Sequence, residues 1–274
     1  MTSILVAGLP ESGKTTFLAA LWHLVSSREM DTTLRFHSLR DGDYTHLNRL
    51  SSKWRDAKAQ ERTEMGSSPI TILSLKNASD EAVSVAFPDI SGEMFGRIWE
   101  DRECDSTIKS LAQAGARVAL FIHANTITAP HWIVEQVAMM NELELPVEEE
   151  DIPWVAAKSP TQVKLVELLQ ALLSERVGAD PSRLIIVFSA WDMVRAEGLS
   201  PTEFLASHLP LLKQYLDQMA AAEWRVYGVS ALGGRLPDDA SRLLQEEIPS
   251  NRILVVVDEG ESNDLTEPIS WLME

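Results

Sequence analysis

The chain has 274 residues with 24 basic and 41 acidic side chains, a net charge of −17, and 45% apolar residues. That acid excess excludes a protein that neutralises a nucleic-acid backbone, and the apolar share excludes a disordered chain. The single Cys104 excludes a disulfide framework, and no apolar run reaches the roughly 18 residues of a membrane span. With a start, MTSILVAGLP, that lacks the basic flank and cleavage site of a signal peptide, the expected location is the cytoplasm.

Ser3 to Ala7 is a short, mostly apolar run closed by Gly8, the pattern of a parallel strand buried on both faces. Phe17, Leu18, Leu21, Leu24 and Val25 then follow helical spacing. From Asp31 the chain turns polar, and only Leu47, Leu50 and Trp54 make a helical stripe, so a surface insertion at about 31–66 carrying one helix is expected. Ile70 to Leu75 and Ala82 to Phe87, split by the turn cluster from Lys76 to Glu81, predict an antiparallel hairpin.

Two buried strands follow, Arg117 to His123 and Leu184 to Ala190, and the long stretch between them predicts a second insertion at about 126–183. It holds a helix: Leu165, Leu168, Leu169 and Leu172 share one face, and Ser159-Pro160-Thr161-Gln162 has the residues of a capped start. Ser200-Pro201-Thr202-Glu203 repeats that signal. Strands at Arg225 to Val229 and Ile253 to Val257, with a helix between Pro237 and Glu247, complete the alternation. The expectation is one α/β domain over 1–274, a mostly parallel, doubly wound sheet with one antiparallel edge hairpin and helical insertions.

Gly8-Leu9-Pro10-Glu11-Ser12-Gly13-Lys14-Thr15 matches G-x-x-x-x-G-K-[ST] in full, between a predicted strand and a predicted helix. Glycine lets the backbone wrap tightly enough to aim its N–H groups at phosphate oxygens, at a helix N-terminus whose dipole favours anions. Gly8, Glu11, Ser12, Gly13, Lys14, Thr15 and Thr16 are therefore the expected phosphate cradle. Lys14 reaches the β- and γ-phosphates, and the Thr15 hydroxyl binds Mg²⁺.

The strand ending at Phe87 delivers Asp89-Ile90-Ser91-Gly92, a D-x-x-G at the strand edge where open α/β sheets bind ligands. Asp89 is expected to hold Mg²⁺ through water and the Gly92 N–H to sense the γ-phosphate. An N/T-K-x-D motif is due at the end of a later strand, and Phe188-Ser189-Ala190-Trp191-Asp192 keeps only its Asp. Asp192 can accept from guanine N1–H and the N2 amino group, and Trp191 is expected to stack on the base in place of the lost lysine. Ser230-Ala231-Leu232 stands where Ras-like proteins carry S-A-K.

The stretches GLPESGKTTFLAALWH (8–23), Trp54, Arg62-Thr63, FPDISGEMF with Trp99 and Arg102, PTQVKLVELLQALL (160–173) and EPISWL (267–272) resemble the bacterial double-GTPase family. These are Ras-like GTPase domains associated with predicted conflict or defence gene neighbourhoods. The resemblance spans nearly the whole chain. It implies a Ras-like P-loop fold, GTP or GDP as ligand with Mg²⁺, and a second GTPase or GTPase-coupled effector as partner, with a dimer one arrangement. It also implies Thr63 as the second Mg²⁺ contact, in preference to Thr32 or Thr33, and Arg62 as an arginine supplied in cis. Glu93 stands where Ras-like enzymes place Gln, and Asn and Lys are missing before Asp192. With Lys14, Arg62 and Glu93 as the catalytic set, a slow GTPase switch is expected. A nucleotide-locked assembly subunit and an ATPase or small-molecule kinase are the alternatives.

Overall fold

The computed structural model describes residues 2–59, 70–88, 92–113, 115–130, 155–220 and 222–274, with the backbone alone at residues 92–94 and 157. β1 (Thr2–Gly8) sits near the centre of a sheet, with β4 (Ala82–Phe87) on one side and β5 (Ala116–His123) on the other, both parallel to it. β6 (Arg183–Ser189) and β7 (Glu223–Ser230) continue the parallel block beyond β5. The apolar runs read from the sequence form these strands because both of their faces are covered.

Alternate residues of β1 divide the core. Ile4 and Val6 pack with α1 (Lys14–Ser27) and α2 (Tyr44–Arg55), whereas Leu5 and Ala7 pack with helices of the opposite layer. That second layer contains α3 (Gly92–Glu100), α4 (Ser106–Gln113), α5 (Thr161–Leu173), α6 (Pro201–His208) and α7 (Pro210–Gln218). The sheet is thus doubly wound, as expected.

The two edges differ from the sequence reading in detail. The predicted hairpin forms as β3 (Thr71–Lys76) against β4, and β2 (Arg35–Asp41) adds a further antiparallel strand outside it. The polar stretch after Asp31 therefore supplies a sheet edge as well as a helix. Its charged, outward-facing residues hid the strand, and such residues suit an edge. At the other edge β8 (Leu254–Val257) pairs antiparallel with β7, and β9 (Gly260–Ser262) with β8. Antiparallel entry needs no full crossover helix, and α8 is short, Ala240–Leu243.

Of the two helix starts expected to be capped, only that at Ser200 is: Ser200 and Glu203 form the full reciprocal box with Pro201 at the first turn. The other start has a different use. Gln162 Oε1 accepts from the Leu211 N–H at 2.8 Å and so joins α5 to α7 in place of capping its own helix. Among the described residues, no helix is long and apolar enough to cross a membrane.

The C-terminal helix α9 (Glu267–Trp271) is held by three arginines at the starts of β5, β6 and β7. Arg183 donates to the Trp271 carbonyl at 2.9 Å, and Arg117 donates to the Leu272 carbonyl. Arg183 and Arg225 flank the Trp271 ring at 4.9 and 5.0 Å. Cations at a helix C-terminus oppose its partial negative charge, and each cation over an indole adds roughly 0.5–1 kcal/mol. Trp271→Ala should destabilise the fold by about 2 kcal/mol in urea unfolding; a change within 0.5 kcal/mol would remove this clamp from the account.

Candidate nucleotide-binding site

The parallel block sends the C-terminal ends of β1, β4, β5, β6 and β7 to one edge of the sheet, which brings together motifs far apart in sequence. β1 ends at Gly8, and the chain turns through the phosphate loop into α1. Gly13 adopts φ +86°, a left-handed conformation that favours glycine. A Cβ there would lie 2.7 Å from both Cβ and Oγ of Ser189 at the end of β6, and a Cβ on Gly8 would lie 2.5 Å from the Phe121 carbonyl oxygen. The loop is wrapped against two neighbouring strands with no room for a side chain.

α1 opens on Gly13 with no side-chain cap and no acidic residue in its first turn. Most helices satisfy their first N–H groups with a side-chain oxygen, so this terminus suits an external anion. Lys14 Nζ lies across the loop, donating to the Gly8 and Leu9 carbonyls and to Ser12 Oγ, each at 2.9 Å. Its cation also sits 5.6 Å from the Phe95 ring centroid of α3. Thr15 and Thr16 are half-buried on the first turn of α1. These residues fit a nucleoside phosphate, and the Thr15 hydroxyl fits one position of a Mg²⁺ shell.

The base-reading candidates also meet. Ser230 Oγ donates to Asp192 Oδ1 and accepts the Gly233 N–H at 3.1 Å. Asp192, Ser230 and Gly233 line a cavity of about 540 Å³, also bounded by Arg195, Arg242 and Arg252. A second cavity, of about 660 Å³, flanks the phosphate loop at Leu9, Pro10 and Ser12 and extends to Trp99 and Lys164. Both lie within the range of small-ligand pockets, roughly 300–1,000 Å³.

Trp191 does not stack on a base. Ala190 takes φ +53°, which turns the following residue inward, and the Trp191 indole is 2% exposed. Its ring meets Phe204 edge-on at 5.3 Å and lies so close to β7 that a Cβ on Gly228 would come within 2.3 Å of it. The lost lysine wall is not replaced by this indole, because the ring is part of the core.

Thr32 and Thr33 lie away from the phosphate loop. α1 runs 14 residues from Lys14, about 21 Å, before the chain reaches them. There the Thr33 N–H donates to Asp264 and the Leu34 N–H to Thr266, in the segment leading into α9. Arg62, Thr63 and Asp89, and the side chain of Glu93, lie outside the described residues; Gly92 is described as the first residue of α3.

Two site residues were missed in the sequence. Ser189 occupies the first position of the damaged N/T-K-x-D motif, and its buried hydroxyl has no hydrogen-bond partner among the described residues. His123 ends β5 on the cavity beside the phosphate loop; burial pushes its pKa below the ordinary histidine value, and the Asp192 and Glu11 carboxylates oppose that shift.

Gly13→Ala should remove nucleotide binding by at least about 100-fold while the protein stays folded, because the new methyl group meets Ser189 at a strained φ. Equal nucleotide affinity of the variant and the wild type would contradict the cradle.

No curated protein matches the chain. Among solved structures it is similar to nucleolar GTP-binding protein 1 from Plasmodium falciparum, at 16% identity and a TM-score of 0.40, covering 91% of this chain and 87% of that one. It is also similar to the Ski7 GTPase-like domain of S. cerevisiae bound to GDP and inorganic phosphate, at 16% identity and a TM-score of 0.39, covering 84% of this chain and 43% of that one. The chain thus spans less than half of the Ski7 structure. Overlap this loose leaves the site to be judged on the chain's own residues. The model of the Double-GTPase 1 family matches residues 5–272, nearly the whole sequence, and the chain belongs to that family of GTP-binding P-loop proteins.

Proposed function

We propose that the protein is a Ras-like molecular switch that binds GTP with Mg²⁺, hydrolyses it slowly, and passes its nucleotide state to a partner GTPase or effector. The observation that carries this reading is the shared sheet edge. A left-handed glycine cradle with Lys14 on its carbonyls stands beside an Asp192–Ser230 pair suited to the guanine edge.

In this reading Lys14 and the first turn of α1 hold the phosphates, with Thr15, Thr63 and Asp89 as the metal's protein ligands, directly or through water. Bound Mg²⁺ would neutralise charge on the β- and γ-phosphates. Arg62 neutralises charge that develops on the leaving phosphate, and the Gly92 N–H reports whether the γ-phosphate is present. Glu93 orients water poorly because its carboxylate is repelled by the γ-phosphate, which supports slow turnover without a partner. A nucleotide-locked assembly subunit is the second reading, favoured by that same Glu93. The family's name supports a second GTPase as partner, the net charge of −17 supports a protein over a nucleic acid, and the family resemblance supports a cytoplasmic role in a bacterial conflict system.

Competition among GTP, XTP and ATP tests the base assignment. Wild type should prefer GTP, whereas Asp192→Asn places an amide donor opposite the guanine amino group and should favour XTP, by roughly 1–3 kcal/mol. Equal wild-type affinity for ATP and GTP would contradict guanine recognition. Single-turnover hydrolysis tests the second part: Glu93→Gln should preserve or raise the rate. A sharp loss would make Glu93 a general base, and no hydrolysis by either protein, alone or with a partner, would favour the assembly subunit.

A further inference from the structure

Trp54, at the end of α2, reaches across the molecule to the base-reading loop. Its indole is 1% exposed, and its Nε1–H donates to the Ala231 carbonyl at 2.8 Å. Arg252 covers the ring with its Cζ 4.5 Å from the centroid. The same guanidinium donates to the Arg55 carbonyl at 3.2 Å and the Pro249 carbonyl at 3.1 Å, so it also caps the C-terminus of α2. Behind them His23 of α1 packs on the indole at 4.9 Å.

The loop is gripped from this side twice. Besides the Ala231 bond, the Arg252 backbone lies against Gly233 so closely that a Cβ at Gly233 would be 2.5 Å from the Arg252 carbonyl oxygen. Gly233 in turn donates to Ser230 Oγ, which donates to Asp192. A buried indole N–H needs an acceptor, and here that acceptor is the backbone of the loop between Ser230 and Gly233.

We infer that Trp54 is a positioning residue for base specificity, clamping the Ala231–Leu232 peptide so that the Leu232 N–H is held in one orientation for the base. The chemistry requires such a clamp. Asp192 accepts from N1–H and the 2-amino group, but guanine O6 needs a donor, and a backbone N–H in this loop supplies one only if the peptide cannot rotate. Adenine presents an amino group at that position, so a fixed N–H rejects it. The clamp also ties the base loop to α2, whose last residue, Arg55, stands seven positions before Arg62 in the sequence.

The specificity part rests on the guanine reading above, and two measurements on the full-length protein keep the two separable. Trp54→Phe keeps an aromatic ring beneath Arg252, removes the N–H donor and leaves a smaller ring in the buried site; Arg252→Gln is the second variant should the first fold poorly. In nucleotide-free protein, hydrogen exchange of the Leu232 to Gly234 amides should quicken at least about fivefold in either variant, with far smaller changes in β1 and β5. In nucleotide titrations, Trp54→Phe should weaken GDP and IDP alike by about 3- to 10-fold, since both carry O6, and leave ADP affinity unchanged. Unchanged exchange at the loop would overturn the clamp. An equal proportional loss for GDP and ADP would overturn the specificity role and leave a merely structural contact. Wild-type protein that binds ADP as well as GDP would instead overturn the guanine reading, while the exchange result still decides the clamp.

Discussion

The close approach of Gly13 to Ser189 is the contact on which the site depends. It presses the phosphate loop onto the end of β6, where a side chain of any size would collide, and so sets the loop next to Asp192, three residues further on. Lys14 then bridges the Gly8 and Leu9 carbonyls and closes the loop on itself. The cost is a capless helix start, and an anion bound there would offset it.

The rest of the sheet serves this contact. Five parallel strands deliver their C-terminal ends to one edge, and buried apolar packing on both faces fixes their register. The arginines at the opposite ends of β5, β6 and β7 are occupied by α9, so the positive charge of that row is spent on the chain's own carbonyls and the Trp271 ring. Trp191 wedges between β7 and α6 and holds Asp192 at the rim, a structural role in place of the stacking its position suggested.

Much of this was legible because its signals are local. The phosphate loop needs glycine at fixed spacing, and continuous apolar runs mark strands covered on both faces, so β1, β4, β5, β6 and β7 could be read directly. Features set by distant partners could not. β2 is a charged edge strand whose pairing depends on β3, and the antiparallel entry of β8 follows from the shortness of α8. The inward turn of Trp191 depends on a left-handed Ala190 and on the absence of a Cβ at Gly228, neither of which has a pattern in sequence. In the sequence Trp54 is marked only by a helical stripe and a family resemblance. Its bond to Ala231 crosses 177 positions and has no local signature.

Binding of a guanine nucleotide at this edge through the phosphate loop is open to direct measurement. Titration of nucleotide-free wild type and Lys14→Ala with a fluorescent GDP in Mg²⁺, alongside their thermal melts, tests it most directly. Saturable one-to-one binding by wild type and at least about 100-fold weaker binding by Lys14→Ala are expected, with both proteins folded. Equal affinity of two folded proteins, or no binding by wild type, would contradict it.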